Sequence, residues 1–169
     1  MRAALLALLA AAGCAVDWPA SSRGDQLGPD VTERGPLHRP GQPCMWCHGG
    51  PFPSAHEFIV AGTVYLREAD AAGARGATVT LTDATGATFT ATTSSVGNFY
   101  LSLGADGRGR EGQLAVATPP IFPLTVTVSA AGHDKRMRSK IQREGSCAAC
   151  HLEPPGAATV GKVFAEDAP

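Results

Sequence analysis

The middle of the chain alternates apolar and polar positions with a period of two. The alternation is strictest in 124–129, where Leu124, Val126 and Val128 are separated by threonines. Such a pattern is typical of half-buried β-strands, and Gly, Asn and Asp residues between the segments mark turns. The predicted strands are 58–66, 77–83, 87–93, 99–103, 113–118 and 124–129. The charges of 134–141 leave a seventh strand there open.

Short strands with turns at this spacing predict a mainly β fold, a small antiparallel β-sandwich of six or seven strands flanked by two short CxxCH segments. The strand count matters because each antiparallel strand reverses the chain. Six strands would bring the two flanking segments to the same end of the sandwich. Seven would separate them by a strand length, about 20 Å at roughly 3.3 Å per residue.

The flanking segments carry the candidate chemistry. Residues 44–48 read CMWCH and residues 147–151 read CAACH, so both match the pattern C-x-x-C-H of covalent c-type haem attachment. The two thiols of each motif can add to the haem vinyl groups, and the histidine then lies beside the iron as its proximal ligand. The sequence therefore predicts two covalently attached c-type haems. Their attachment residues are Cys44, Cys47, Cys147 and Cys150, and their proximal ligands are His48 and His151.

Two other interpretations of the paired cysteines stay open. Four thiolates could form a tetrahedral zinc site, with the histidines as bystanders. In an oxidising compartment they could instead form two small disulfide loops. Either alternative would make the chain a haem-free surface scaffold or binding lipoprotein.

The amino terminus predicts export. Met1-Arg2 precedes a run of alanine and leucine too short to span a bilayer, as in a secretory signal peptide at 1–13. Ala11-Ala12-Gly13-Cys14 resembles a lipobox, so Cys14 is the candidate site of lipidation and membrane anchoring, although ordinary signal-peptidase cleavage nearby is the alternative. Residues 14–36, rich in Pro, Gly and Ser, predict a flexible tether.

Each haem iron also needs a sixth ligand or keeps an open position. The candidate distal ligands are His38, His56, His133 and Met137. Two histidines give a low-potential site suited to electron transfer, whereas a methionine raises the potential. An open position would instead permit a small dihaem peroxidase or a haem sensor, with Glu57 and Glu153 as the acidic residues nearest to the motifs in sequence.

The central segment resembles the carboxypeptidase regulatory-like domain, a transthyretin-like β-sandwich, from Phe58 to about His133. The matching stretches are 62–64 (GTV), 76–81 (GATVTL), 92–93 (TT), 97–100 (GNFY) and 124–132 (LTVTVSAAG). Members of that family are non-catalytic appendages, so the resemblance implies a scaffold and no hydrolase. The order of lipobox, CxxCH, sandwich and second CxxCH resembles exported bacterial dihaem lipoproteins of the c-type class.

The sequence thus predicts an exported, lipid-anchored dihaem cytochrome, without enzymatic activity, that relays electrons at the cell envelope. Its divisions are a first haem-binding segment at 37–56, the sandwich at 57–138, and a second haem-binding segment with the tail at 139–169. The expected partners are redox proteins of the envelope and, through Cys14, the membrane. Removal of 1–13 leaves 13 basic and 15 acidic residues, and no basic stripe points to nucleic acid.

Overall fold

A computed structural model describes residues 26–50, 56–104, 109–153, 155 and 159–166. The predicted signal peptide and Cys14 lie outside these ranges. Within them, no helix has the length and apolar character needed to cross a membrane.

The described chain is mainly β, as predicted, with eight strands in two four-stranded sheets. The strands are β1 (Val60–Tyr65), β2 (Thr78–Thr82), β3 (Thr88–Thr92), β4 (Asn98–Leu103), β5 (Gln113–Val116), β6 (Thr125–Ala130), β7 (His133–Arg136) and β8 (Val163–Phe164). The first sheet has the order β5-β4-β1-β8 and the second the order β3-β2-β6-β7. Among the described residues, helical structure is limited to α1 (Met45–His48) and a 3₁₀ turn at Cys147–Ala149.

Both sheets contribute to one hydrophobic core. Val60 and Leu101 of the first sheet pack in the same cluster as Leu81 and Val128 of the second. These side chains come from alternate positions of their strands, as the period-two pattern predicts. The arrangement is consistent with a small β-sandwich.

The expectation of a wholly antiparallel fold is wrong at two places in the first sheet. β5 runs parallel to β4, and the two-residue strand β8 runs parallel to β1. β8 lies in the carboxy-terminal tail, where the sequence pattern indicated no strand because two residues carry no alternation. The carboxy-terminal tail therefore supplies an edge strand of the first sheet.

The strand count did not separate the two CxxCH segments as expected. Seven strands lie between them, yet both segments contact β1, at Gly62 and Thr63. The reason is the parallel pair of β4 and β5, because the connection between parallel neighbours does not reverse the chain direction. Seven strands with one missing reversal return the chain to the end at which it entered, as six antiparallel strands would.

The first sheet is buried on both faces. All six residues of β1 are buried, although alternate side chains of a strand point to opposite faces. Thr63, Tyr65, Asn98 and Tyr100 lie on the face turned away from the core, and each is at most 8% exposed. The segment that carries the first CxxCH motif covers this face, so the motif is packed onto the fold as an additional layer.

Part of the segment predicted as a tether is held in place. The guanidinium of Arg39 donates hydrogen bonds to the carbonyls of Leu27 (3.3 Å) and Gly28 (2.6 Å) and to Oε1 of Gln42 (2.8 Å). It also lies 3.4 Å from the carboxylate of Asp30. Residues 27–30 are therefore bonded to the first motif segment through Arg39.

Asp83 organises the turn between β2 and β3 and makes the acid stability of the fold predictable. Its carboxylate accepts hydrogen bonds from Thr85, from the backbone N–H of Ala87 and from that of Ile121. These bonds, led by the one from the Thr85 hydroxyl, lower the pKa of Asp83 from 3.8 to about 2.

The ionised Asp83 carboxylate stabilises the folded state. This stabilisation is complete above the unfolded-state pKa and disappears as the pH falls through the folded-state pKa. We expect Asp83→Asn to flatten the acid dependence of unfolding between about pH 4 and pH 2, measured by denaturant titration at each pH. An unchanged pH profile would contradict this assignment.

Candidate functional site

The two CxxCH motifs fold into the same helical turn. In the first, the backbone N–H groups of Cys47 and His48 donate to the carbonyl of Cys44, at 3.2 and 3.0 Å. In the second, those of Cys150 and His151 donate to the carbonyl of Cys147, at 3.2 and 2.9 Å. Residues i, i+3 and i+4 of a helical turn share one face. Each motif therefore presents its two thiols and its imidazole on the same side.

Both motif histidines have the same ring nitrogen bound to a backbone carbonyl. Nδ1 of His48 lies 2.7 Å from the carbonyl oxygen of His56, and Nδ1 of His151 lies 2.9 Å from that of Gly161. A carbonyl only accepts, so Nδ1 carries a hydrogen in each ring, and in a neutral ring the lone pair is then on Nε2. Proximal metal-binding histidines are oriented by such a bond.

A second hydrogen bond closes each motif from the same side. The N–H of Phe58 donates to the carbonyl of His48 (2.7 Å), and the N–H of Val160 donates to that of Cys150 (2.8 Å). Residues about ten positions after each motif therefore return to it. The two haem-type motifs are structural equivalents, although the chain around them has no sequence repeat.

The imidazole of His48 is held in an aromatic environment. The Phe58 ring stacks on it with centroids 4.1 Å apart, and the Tyr100 ring of β4 stacks on Phe58 at 4.4 Å. Burial lowers the pKa of His48 below its usual 6.5, and the hydrogen bond to His56 opposes this shift. His48 is therefore neutral at pH 7, which is the protonation state that a metal ligand requires.

The thiol of the first cysteine in each motif stays protonated at neutral pH. Burial raises the pKa of the Cys44 thiol to about 11 and that of the Cys147 thiol to about 12. Reactive redox cysteines instead need a lowered thiol pKa. The described residues include all four motif cysteines as free thiols.

The first motif segment is attached to β1 and β4 by hydrogen bonds. The N–H of Gly41 donates to the hydroxyl of Thr63 (2.7 Å), and that hydroxyl donates to Oδ1 of Asn98 (2.7 Å). Nδ2 of Asn98 donates to the carbonyls of Pro36 (3.2 Å) and His38 (3.0 Å). Asn98 thus satisfies the backbone of the segment that precedes the first motif.

The second motif lies between two short segments that pair with the same edge of β1. Ser146 forms a parallel bridge with Ala61 just before the motif, and β8 pairs with the end of β1 just after it. Between these contacts, Cys147 packs directly over Gly62. A Cβ atom on Gly62 would lie 2.6 Å from Cβ and 2.8 Å from Sγ of Cys147. Glycine is therefore required at this position of the strand.

A cavity of about 260 Å³ lies between the two motif segments. Pro40, Gly41 and Gln42 line it from the first segment, and Cys147 and His151 line it from the second. Its volume is somewhat below the roughly 300–1,000 Å³ of ordinary ligand pockets. It would enclose part of a porphyrin and leave the remainder exposed.

Lys162 places a cation in the wall of this cavity. Its side chain is 13% exposed, and Nζ donates to the carbonyl of Asp70 (2.7 Å) and pairs with the carboxylate of Glu153 (3.0 Å). Nζ also lies 4.8 Å from the centre of the Tyr65 ring. Because Glu153 is about half exposed, solvent weakens its effect on the cation.

The structure places the candidate distal histidines of the first segment in other hydrogen bonds. Nδ1 of His38 accepts from the N–H of Gly35 (3.2 Å), and its ring stacks beside that of His48 with centroids 5.8 Å apart. Nε2 of His56 accepts from the guanidinium of Arg110 (3.2 Å). In this arrangement His56 serves the first motif through its backbone carbonyl.

The other two candidate distal ligands lie at and beyond β7. His133 is exposed, with Nε2 4.0 Å from the carboxylate of Glu166. Met137 is half-buried and packs against the hydrophobic core, while its N–H donates to the carbonyl of Val126. These positions show how each side chain is used in the fold, and the distal ligands stay a prediction.

The residues present fit a covalently held haem. In the described ranges, no group of three or more His, Cys, Asp or Glu side chains converges as a purely protein metal site would. Each motif instead offers two thiols and one oriented imidazole, which is the donor set of a c-type haem. The hydroxyl of Ser146, beside Cys147, is buried without a hydrogen-bond partner among the described residues, so it offers a polar contact to a bound group.

The sequence pattern missed several residues that build this site. Asn98 was assigned to a turn, Gly62 to an ordinary strand position, and Lys162 to the tail. A signal existed for Gly62, since a glycine within a β-branched strand often marks the close approach of another group. None existed for Asn98 or Lys162, because their partners are distant in sequence.

No protein-family model, no curated protein and no solved structure matches this chain.

Proposed function

We propose that this chain is an exported, lipid-anchored dihaem c-type cytochrome that relays single electrons between proteins of the cell envelope. Cys44 and Cys47 hold one haem with His48 as proximal ligand. The second haem is held by Cys147 and Cys150, with His151 as its ligand. When bound, each haem supplies an iron that changes charge by one electron.

The observation that carries the proposal is the matched hydrogen bond from Nδ1 of His48 and of His151 to a backbone carbonyl. Two CxxCH sequences could arise for several reasons. Two imidazoles with the same nitrogen protonated and the same motif turn beneath them favour one shared purpose, the presentation of Nε2 to a metal.

The central β domain acts as a scaffold in this proposal. Its resemblance to the carboxypeptidase regulatory-like, transthyretin-like sandwiches supports a non-catalytic role. β1 is the main structural element of the scaffold, because both motif segments contact it. The protein then functions by holding two redox groups in fixed positions and offering them to partners.

The absorbance spectrum of the exported protein tests the proposal. We expect the reduced, pyridine-treated sample to show the c-type haem band at about 550 nm. A zinc-binding or disulfide-containing scaffold would lack this band, and its absence would overturn the proposal. Addition of carbon monoxide to the reduced protein then separates a coordinatively saturated relay from a peroxidase or sensor, since only an open iron position binds the gas.

Lys162 is expected to raise the reduction potential of the second haem. A cation near the iron disfavours the oxidised form, which carries the additional positive charge. Lys162→Gln removes the cation, keeps a donor for Asp70 and leaves the Glu153 carboxylate unneutralised. We expect the potential of that haem to fall by on the order of tens of millivolts.

Lys135→Gln is the matched control for a potentiometric titration. Nζ of Lys135 also lies over an aromatic ring, that of Phe164 at 3.5 Å, but Lys135 does not line the cavity. Its substitution should leave both potentials unchanged. Equal shifts in the two variants would show that the effect is one of overall charge and would contradict the role assigned to Lys162.

A further inference from the structure

We infer that the two haems form one closely spaced pair that exchanges electrons within the molecule. The inference rests on the proposed function and deepens it. Two distant haems would each exchange electrons separately with a different partner protein. A pair instead allows an electron to enter at one haem and leave from the other.

The first observation is that consecutive residues of one strand contact the two motif segments. The hydroxyl of Thr63 accepts the hydrogen bond from Gly41, three residues before Cys44. The preceding residue, Gly62, is covered by Cys147, the first cysteine of the second motif. A strand advances only about 3.3 Å per residue, so these two attachment points are close along β1, although Thr63 and the Cβ position of Gly62 lie on opposite faces of the sheet.

The second observation is the cavity between the segments. Its walls come from residues just before the first motif, Pro40 to Gln42, and from Cys147 and His151 of the second. A group bound beside the second motif would therefore contact the chain that leads to the first.

Covalent attachment extends the proximity of the two motif segments to their haems. A thioether fixes one porphyrin edge to the cysteine Sγ, so the ring cannot move away from its motif. Cys44 and Cys147, both half-buried, would fix the inner edges of the pair. Cys150 is exposed and brings the second haem to the surface, where a partner can reach it.

Electron paramagnetic resonance of the full-length dihaem protein tests the inference. We expect the fully oxidised protein to show signals broadened or split by the interaction of two ferric spins. The sum of the spectra of two single-haem variants should lack this effect. One variant carries Cys44→Ser with Cys47→Ser, and the other carries Cys147→Ser with Cys150→Ser. A dihaem spectrum equal to that sum would overturn the pair.

A second measurement, on the unaltered protein, tests the inference without the single-haem variants. When the sample is half reduced, many molecules hold only one ferric haem. For a closely spaced pair, the line width of the remaining ferric signal should then decrease. A line shape that stays constant throughout reduction would overturn the inference while leaving the c-type absorption band, and hence the proposed function, intact. Absence of that band would overturn both.

Discussion

Gly62→Ala is expected to displace the second motif from its position on β1. The added Cβ would lie 2.6 Å from Cβ and 2.8 Å from Sγ of Cys147, and 3.2 Å from Cε1 of Phe99. Phe99 is a core residue and cannot give way, so Cys147 must move. Overpacking of this kind costs about 1–3 kcal/mol in the free energy of unfolding. We also expect attachment of the second haem to fail in a large part of the molecules.

Two measurements check this expectation. Denaturant unfolding gives the loss of stability, and the mass of the denatured protein shows the loss of one haem, about 0.6 kDa. Gly109→Ala is the control, because a Cβ there would meet nothing within 4 Å and the backbone φ is not in the left-handed region. If Gly62→Ala kept both haems and the parent stability, the described packing of Cys147 on β1 would be wrong.

Asn98→Ala is expected to release the segment that carries the first motif. The substitution leaves the buried hydroxyl of Thr63 without its acceptor and the carbonyls of Pro36 and His38 without their donor. Each buried group left unsatisfied costs about 1–3 kcal/mol. Since water can reach some of these groups once the segment loosens, we expect a total loss of about 2–4 kcal/mol in the free energy of unfolding.

Limited proteolysis distinguishes release of the segment from global destabilisation. Cleavage within residues 30–42 should accelerate in Asn98→Ala under conditions that keep the β domain folded. Gln113→Ala is the matched control, because it removes side-chain hydrogen bonds, one to the hydroxyl of Ser102 (3.1 Å) and one from the backbone N–H of Arg110 (3.4 Å), that do not involve residues 30–42. Similar proteolysis of the two variants would argue against a specific role for Asn98.

The strands of the β domain were predictable because their signal is local. Six strands lie within two residues of the predicted bounds at both ends, and β7 overlaps the charged stretch 134–141 that the sequence left open. Strand pairing was less accessible. The parallel placement of β5 beside β4 depends on how the intervening loop crosses the sheet, which the period-two pattern does not encode.

The candidate site divides in the same way. The thiols and imidazoles of the motifs could be named from sequence because their spacing is itself the chemical requirement. The contacts that orient them could not, since the carbonyls of His56 and Gly161 belong to ordinary backbone and carry no residue signal. Asn98 reaches His38 across 60 residues, a pairing that only the folded chain reveals.

The mass of the denatured, exported protein shows whether the two CxxCH motifs carry covalent haem. The protein should be produced in a host that attaches c-type haem and then unfolded, so that only covalently bound groups remain. The account predicts a mass about 1.2 kDa above that of the processed and lipid-modified polypeptide, one haem for each CxxCH motif. A mass equal to that of the polypeptide without haem would contradict it.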